Sequence, residues 1–103
     1  MPRTLHTEQN EVLLELLRAA REQSGVTQIQ LAERTGMRQT DISKTERGVR
    51  RLDIVELHAW LTALEVPFVA FATELDERLS ALTLARSSGA RRTMVRRPPG
   101  RAG

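Results

Sequence analysis

The sequence predicts an all-α protein: five helices followed by a basic tail. Three observations carry that expectation. Apolar residues recur at spacings of three and four, no stretch alternates with a period of two, and Gly, Ser, Thr and Pro fall where helices would start and stop. A chain of 103 residues makes one small domain and at most a tail. Its core is modest, so association of two copies would add stability.

Residues 1–6 are expected to be loose. The first helix is expected from Thr7 as N-cap, with Glu8 and Glu11 near the positive end of the helix dipole. Val12, Leu13, Leu16, Leu17 and Ala20 form its apolar stripe, and Ser24-Gly25 stops it. Thr27 then caps a second helix. Gln30 lies three residues on to close a capping box, and Val26 and Leu31 stand where a hydrophobic staple fixes the entry angle. Leu31 and Ala32 supply the buried side, and Gly36 sits where a left-handed residue turns the chain sharply.

The third helix, Gln39 to Arg47, has Ile42 as its one large aliphatic anchor. A helix so poor in apolar residues needs a reason to be polar. Holding hydrogen-bonding side chains against a base-pair edge is such a reason. Gly48 ends it, and Val49-Arg50-Arg51 makes a basic loop. The fourth helix is expected from Leu52 to Leu64, with Asp53 in its first turn and Ile54, Leu57, Ala59, Trp60, Leu61 and Leu64 buried. Pro67 suits the first turn of a fifth helix, which carries Phe68, Phe71, Ala72, Leu75, Leu79 and Leu82 and runs to about Arg86. From Ser87 the composition turns to Gly, Ser, Pro and Arg. Residues 87–103 bury too little apolar surface to offset their ordering entropy, and a disordered tail is expected.

The net charge of +3 conceals a division. Residues 1–86 hold 11 basic and 13 acidic groups, a sum of −2, whereas residues 87–103 hold five arginines and no acid. Within the body, Arg34, Arg38, Lys44, Arg47, Arg50 and Arg51 face only Asp41 and Glu46 between residues 34 and 51, a local +4. A basic patch on an acidic domain suits a directed phosphate-contacting surface. The chain has no cysteine, which excludes disulfides and thiolate metal sites. No apolar run approaches the roughly 18–20 residues of a membrane span, and the N-terminus lacks the apolar region of a signal peptide. A cytoplasmic location without membrane contact is therefore expected.

The stretch from Thr27 to Gly48 resembles the helix-turn-helix of the phage repressor and Cro-like family of DNA-binding proteins. Ala32, Gly36 and Ile42 stand at that family's small packing residue, turn glycine and recognition-helix aliphatic. Ile42-Ser43-Lys44 with Glu46-Arg47-Gly48 matches its close. The similarity runs from about Leu17-Arg18 to about Leu64. Two departures stand out: Arg38 replaces the common Ser or Thr cap, and Thr45 replaces an apolar residue.

The resemblance implies a recognition helix in the major groove with its N-terminal residues nearest the bases. Gln39 is then the first base contact, matching adenine N6 and N7, with Thr40 against a thymine methyl and Lys44 reaching guanine or a phosphate. Gln28, at the positive end of the preceding helix, is placed to hold a phosphate. Ser43, Arg47, Arg50 and Arg51 are candidate phosphate contacts, as is Arg38. Arg47 has a competing role, pairing with Glu46 or another carboxylate, and Glu46 is expected to order the loop.

Leu75, Leu79 and Leu82, with Phe68 and Phe71, form a stripe longer than so small a body easily covers. It is read as a homodimer interface that would set half-sites about 34 Å apart on a near-palindromic operator. The competing expectation folds this helix onto its own core. The arginine tail either adds salt-sensitive affinity or stays solvated.

Enzymatic readings fare poorly. His6 and His58 have no metal-ligand spacing with each other or with a carboxylate cluster, and no cofactor is implied. The leading expectation is a dimeric transcriptional regulator of double-stranded DNA, acting as a repressor. The alternative is an antitoxin that sequesters a toxin protein and autoregulates its operon.

Overall fold

The computed structural model describes residues 5–87 and places five α-helices there. They are α1 (Leu5–Gln23), α2 (Gln28–Thr35), α3 (Gln39–Glu46), α4 (Ile54–Ala63) and α5 (Phe68–Ser87). There is no strand among the described residues. The expected tail lies outside them, apart from Ser87 at the end of α5. The first helix starts earlier than its cap signal suggested: Leu5 is already helical, so Thr7 is inside α1 rather than at its N-cap.

Local chemistry sets the boundaries. Thr27 Oγ1 accepts a hydrogen bond from the Gln30 amide at 3.0 Å, and Gln30 Oε1 in turn accepts one from the Thr27 amide at 2.9 Å. Asp53 and Glu56 close the same reciprocal pair at the start of α4, at 2.7 and 3.1 Å. Each box satisfies two of the amides that a helix start leaves without intrahelical partners. Gly36, at φ +80°, ends α2 in the left-handed conformation.

α4 ends differently. The amides of Val66 and Glu65 bond back to the carbonyls of Leu61 and Thr62, and Glu65 occupies the left-handed position at φ +61°. Glycine usually fills that place, because a Cβ there crowds the following carbonyl.

The core gathers Leu16 and Leu17 of α1, Leu31 and Ala32 of α2, Ile42 of α3, Leu57, Trp60 and Leu61 of α4, and Phe71 of α5, with Val26 and Leu64 from the connections. Val26 and Leu31 are both buried, as a staple requires. Thr45 is only 1% exposed, and its hydroxyl donates to the Asp41 carbonyl at 2.8 Å, so the polar atom enters the core already partnered. The Trp60 indole N–H is buried without a hydrogen-bond partner among the described residues.

Two expected core positions are elsewhere. Ile54 is 64% exposed at the first residue of α4, and Ala59 is exposed on the side of the helix away from Leu57, Trp60 and Leu61. α5 turns away from α4 by 117° and packs chiefly along α1. Phe71 is buried in its own chain's core, and Leu75 packs against that core. Leu79 borders a small hollow with Gln9 and Leu13 of α1, and Leu82 is half-buried. No single helix among the described residues is long and apolar enough to cross a membrane.

Candidate nucleic-acid interface

α2 and α3 meet at the Gly36 corner, with Ile42 and Leu31 buried beneath them. Ile42, Thr45 and Glu46 form the inward side of α3. Thr40, Lys44 and Arg47, spaced four and three apart on one stripe, are exposed, and so is Gln39 at the helix start. Arg38 caps α3 by backbone geometry alone: no side-chain cap bond forms, and its exposed guanidinium reaches Asp41 at 3.5 Å. The missing Ser or Thr is therefore not replaced by another cap.

Gln39 has a defined orientation, and the reason begins in the core. Glu46, 4% exposed, accepts from Arg21 Nε at 2.7 Å and from Arg21 Nη2 at 3.1 Å. The same arginine donates to the Val26 carbonyl at 3.0 Å, fastening α1 to α3 and to the connection that leads into α2. Its guanidinium pKa is raised above the ordinary value, chiefly by the hydrogen bond to Glu46, which outweighs the opposing effect of burial.

Glu46 also accepts from Gln28 Nε2 at 2.9 Å. A carboxylate only accepts, so Gln28 must turn its amide nitrogen inward and its Oε1 outward. That outward oxygen accepts from Gln39 Nε2 at 2.8 Å. Gln39 is left with one N–H and its Oε1 for an external partner. These are the donor and acceptor that complement adenine N7 and N6. A buried carboxylate that accepts from Gln28 thus fixes which way an exposed amide faces.

The remaining candidates divide. Arg51 is exposed, and so is Arg47, whose Nε reaches Ser43 Oγ at 3.4 Å rather than Glu46. Arg50 is half-buried and engaged: Nη2 and Nη1 donate to the Glu56 carboxylate at 2.7 and 3.2 Å, and Nη1 also donates to the Arg51 carbonyl at 3.2 Å. This partner raises the Arg50 pKa, and Arg50 in turn is the main cause that lowers that of Glu56. Arg34 is exposed, but its Nη1 donates to the Ala63 carbonyl at the end of α4 at 2.9 Å. Sequence reasoning missed the Arg21–Glu46 pair. The partners are 25 residues apart, and only the packing of α1 against α3 brings them together.

A family profile for helix-turn-helix proteins matches residues 17–71. Among solved structures, the chain is similar to an XRE-family like protein from Pseudomonas syringae pv. tomato str. DC3000. The identity is 36% over 71% of this chain and 89% of that one, with a TM-score of 0.68. It is also similar to the wild-type restriction-modification controller protein C.Esp1396I, with 29% identity over 70% and 95% of the two chains and a TM-score of 0.65. The tetramer of that controller protein in complex with its natural 35 base-pair operator gives 29% identity over 70% and 95%, with a TM-score of 0.64. No curated protein matches the chain in sequence. The chain belongs to the XRE-type, Cro-like helix-turn-helix family, and it is a DNA-binding transcriptional regulator.

Proposed function

We propose that this regulator acts as a dimeric repressor, laying α3 in the major groove of a near-palindromic operator with half-sites about 34 Å apart. The observation that carries the reading is the exposed, polar outer side of α3, with Gln39 oriented through Gln28 by Glu46. Gln39 and Thr40 contact bases, and Lys44 reaches a base or a phosphate. Gln28, Arg38, Ser43, Arg47 and Arg51 hold phosphates and set register. Arg50 shapes the loop through Glu56, and a phosphate contact from it is secondary. The tetramer of the related controller protein on its operator supports more than one copy acting on one site.

Selection of bound fragments from random duplexes tests this reading, since it reveals site, symmetry and spacing together. On the selected site, Gln39→Ala is expected to lower discrimination at one base pair by about 1–3 kcal/mol. Arg51→Ala is expected to weaken all sequences alike and to reduce the salt slope by about one. Equal and uniform losses from both variants would overturn the assignment of roles.

A further inference from the structure

We propose that the cavity beneath the loop at residues 48–52 binds a small amphipathic anion, a carboxylate on a short alkyl chain, and that this occupant withholds Arg51 from the operator backbone. The second part rests on the phosphate role given to Arg51 above. The cavity measures about 230 Å³ and lies between α1 and the loop that follows α3. Drug-sized sites run to roughly 300–1,000 Å³, so a ligand here must be small. Leu13, Leu14, Leu17 and Leu52 give the cavity apolar walls. Leu17 and Thr45 are buried at its inner side, and Val49 and Arg51 are exposed at its outer side.

The loop over the cavity is held in place, so the space is already formed. The Val49 and Arg50 amides bond to the Lys44 carbonyl at 2.9 and 3.2 Å, and the Gly48 amide bonds to that of Thr45 at 3.0 Å. A Cβ added at Gly48 would stand 3.1 Å from Leu14 Cδ1, so the chain crosses α1 about as closely as a residue without a side chain allows.

The same bonds decide the chemistry of the occupant. Three loop amides are engaged within the chain, the Thr45 hydroxyl donates to the Asp41 carbonyl, and Arg50 is turned to Glu56. That leaves the half-buried Asn10 amide and the exposed Arg51 guanidinium as side-chain donors for a ligand. Among the described residues, Arg51 has no carboxylate partner, and no Asp or Glu lines the cavity. A cation would therefore meet two arginines and no acid. A carboxylate finds a charged donor in Arg51 and a second donor in Asn10, while its alkyl chain covers the leucines.

Titration of the full chain with hexanoate tests the site, read without DNA from the methyl NMR signals of Leu13, Leu14 and Leu52. From butanoate through pentanoate to hexanoate, affinity is expected to rise about fourfold per methylene. Hexanol, which has the same chain and no charge, is expected to bind about tenfold more weakly, and Arg51→Gln to weaken hexanoate by about the same factor. No methyl shift with hexanoate at tens of millimolar, equal binding of hexanol, or undiminished binding by Arg51→Gln overturns the anion site. On the selected operator, hexanoate is expected to lower affinity severalfold more than acetate at the same ionic strength, a comparison that removes the general salt effect. Hexanoate that fills the cavity yet displaces no more operator than acetate overturns the link to Arg51. A chain that retards no duplex overturns the proposed function, while the titration without DNA still decides the cavity.

Discussion

Arg21–Glu46 and Arg50–Glu56 are the same pair of residue types at the same closest distance, 2.7 Å, yet they do different work. The first has side chains 13% and 5% exposed, and the second 30% and 30%. Burial makes the difference. A carboxylate sealed under α3 must keep its partners, so its acceptor-only character passes outward through Gln28 to Gln39. A carboxylate at the surface has water as an alternative, so the Arg50–Glu56 pair adjusts a loop without dictating anything beyond it. Geometry alone would have ranked the two pairs equal.

The largest test of that contrast is Arg21→Met. It leaves Glu46 buried beside a neutral side chain and is expected to cost about 3–5 kcal/mol in urea unfolding. The double change Arg21→Met with Glu46→Met should recover most of that stability, because two apolar side chains replace the pair. It should not recover base preference, since Gln28 no longer has a fixed acceptor. Full recovery of base preference in the double variant would break the proposed link between the core and Gln39.

A smaller effect is expected from Gln28→Ala. Stability should change little, because Glu46 keeps both bonds from Arg21, while discrimination at the base pair read by Gln39 falls by about 1 kcal/mol in competition binding. Gln28 is also a proposed phosphate contact at the start of α2, where the backbone amides that Ala retains face the anion, so overall affinity should fall less than discrimination. Retained discrimination with affinity alone reduced would confine Gln28 to the phosphate.

The smallest effect belongs to the surface pair. Arg50 and the Asp53 amide lower the Glu56 pKa from its ordinary 4.5, so the folded state binds this proton less readily than the unfolded state. The resulting stabilisation is fully present above about pH 4.5 and is lost as pH falls through the depressed folded value. At neutral pH, Arg50→Gln should cost at most about 1 kcal/mol. The gap in melting temperature from the parent should narrow on acidification. A gap that stays constant down to pH 3 would show that the pair contributes through packing and not through charge.

Legibility in the sequence followed the range of the interactions. Thr27 with Gln30 and the Gly36 corner were readable because each acts within a few residues, where spacing specifies geometry. The same was true of the polar outer side of α3. The second capping box was within reach too: Asp53 and Glu56 have the same three-residue offset as Thr27 and Gln30. Ile54 misled because periodicity gives the angle of a side chain around a helix but not its place along the axis relative to the core's edge. The α5 leucines raised a question that spacing cannot decide, since a stripe facing a neighbouring helix and one facing a second copy look alike in sequence. Glu46 was expected to order the loop, but its partners were not legible, because Arg21 and Gln28 reach it only after three helices have packed.

Trp60 has a practical consequence. It is the single tryptophan of a chain without tyrosine, and it is fully enclosed by the helices around it. Near-ultraviolet emission from this molecule therefore comes from one indole, remote from solvent and from the exposed side of α3. A red shift of that light is expected on loss of the native state, and binding of a duplex to α3 is expected to leave the emission of an indole at 0% exposure unshifted. The chain thus carries an optical signal that separates unfolding from DNA engagement in the same cuvette.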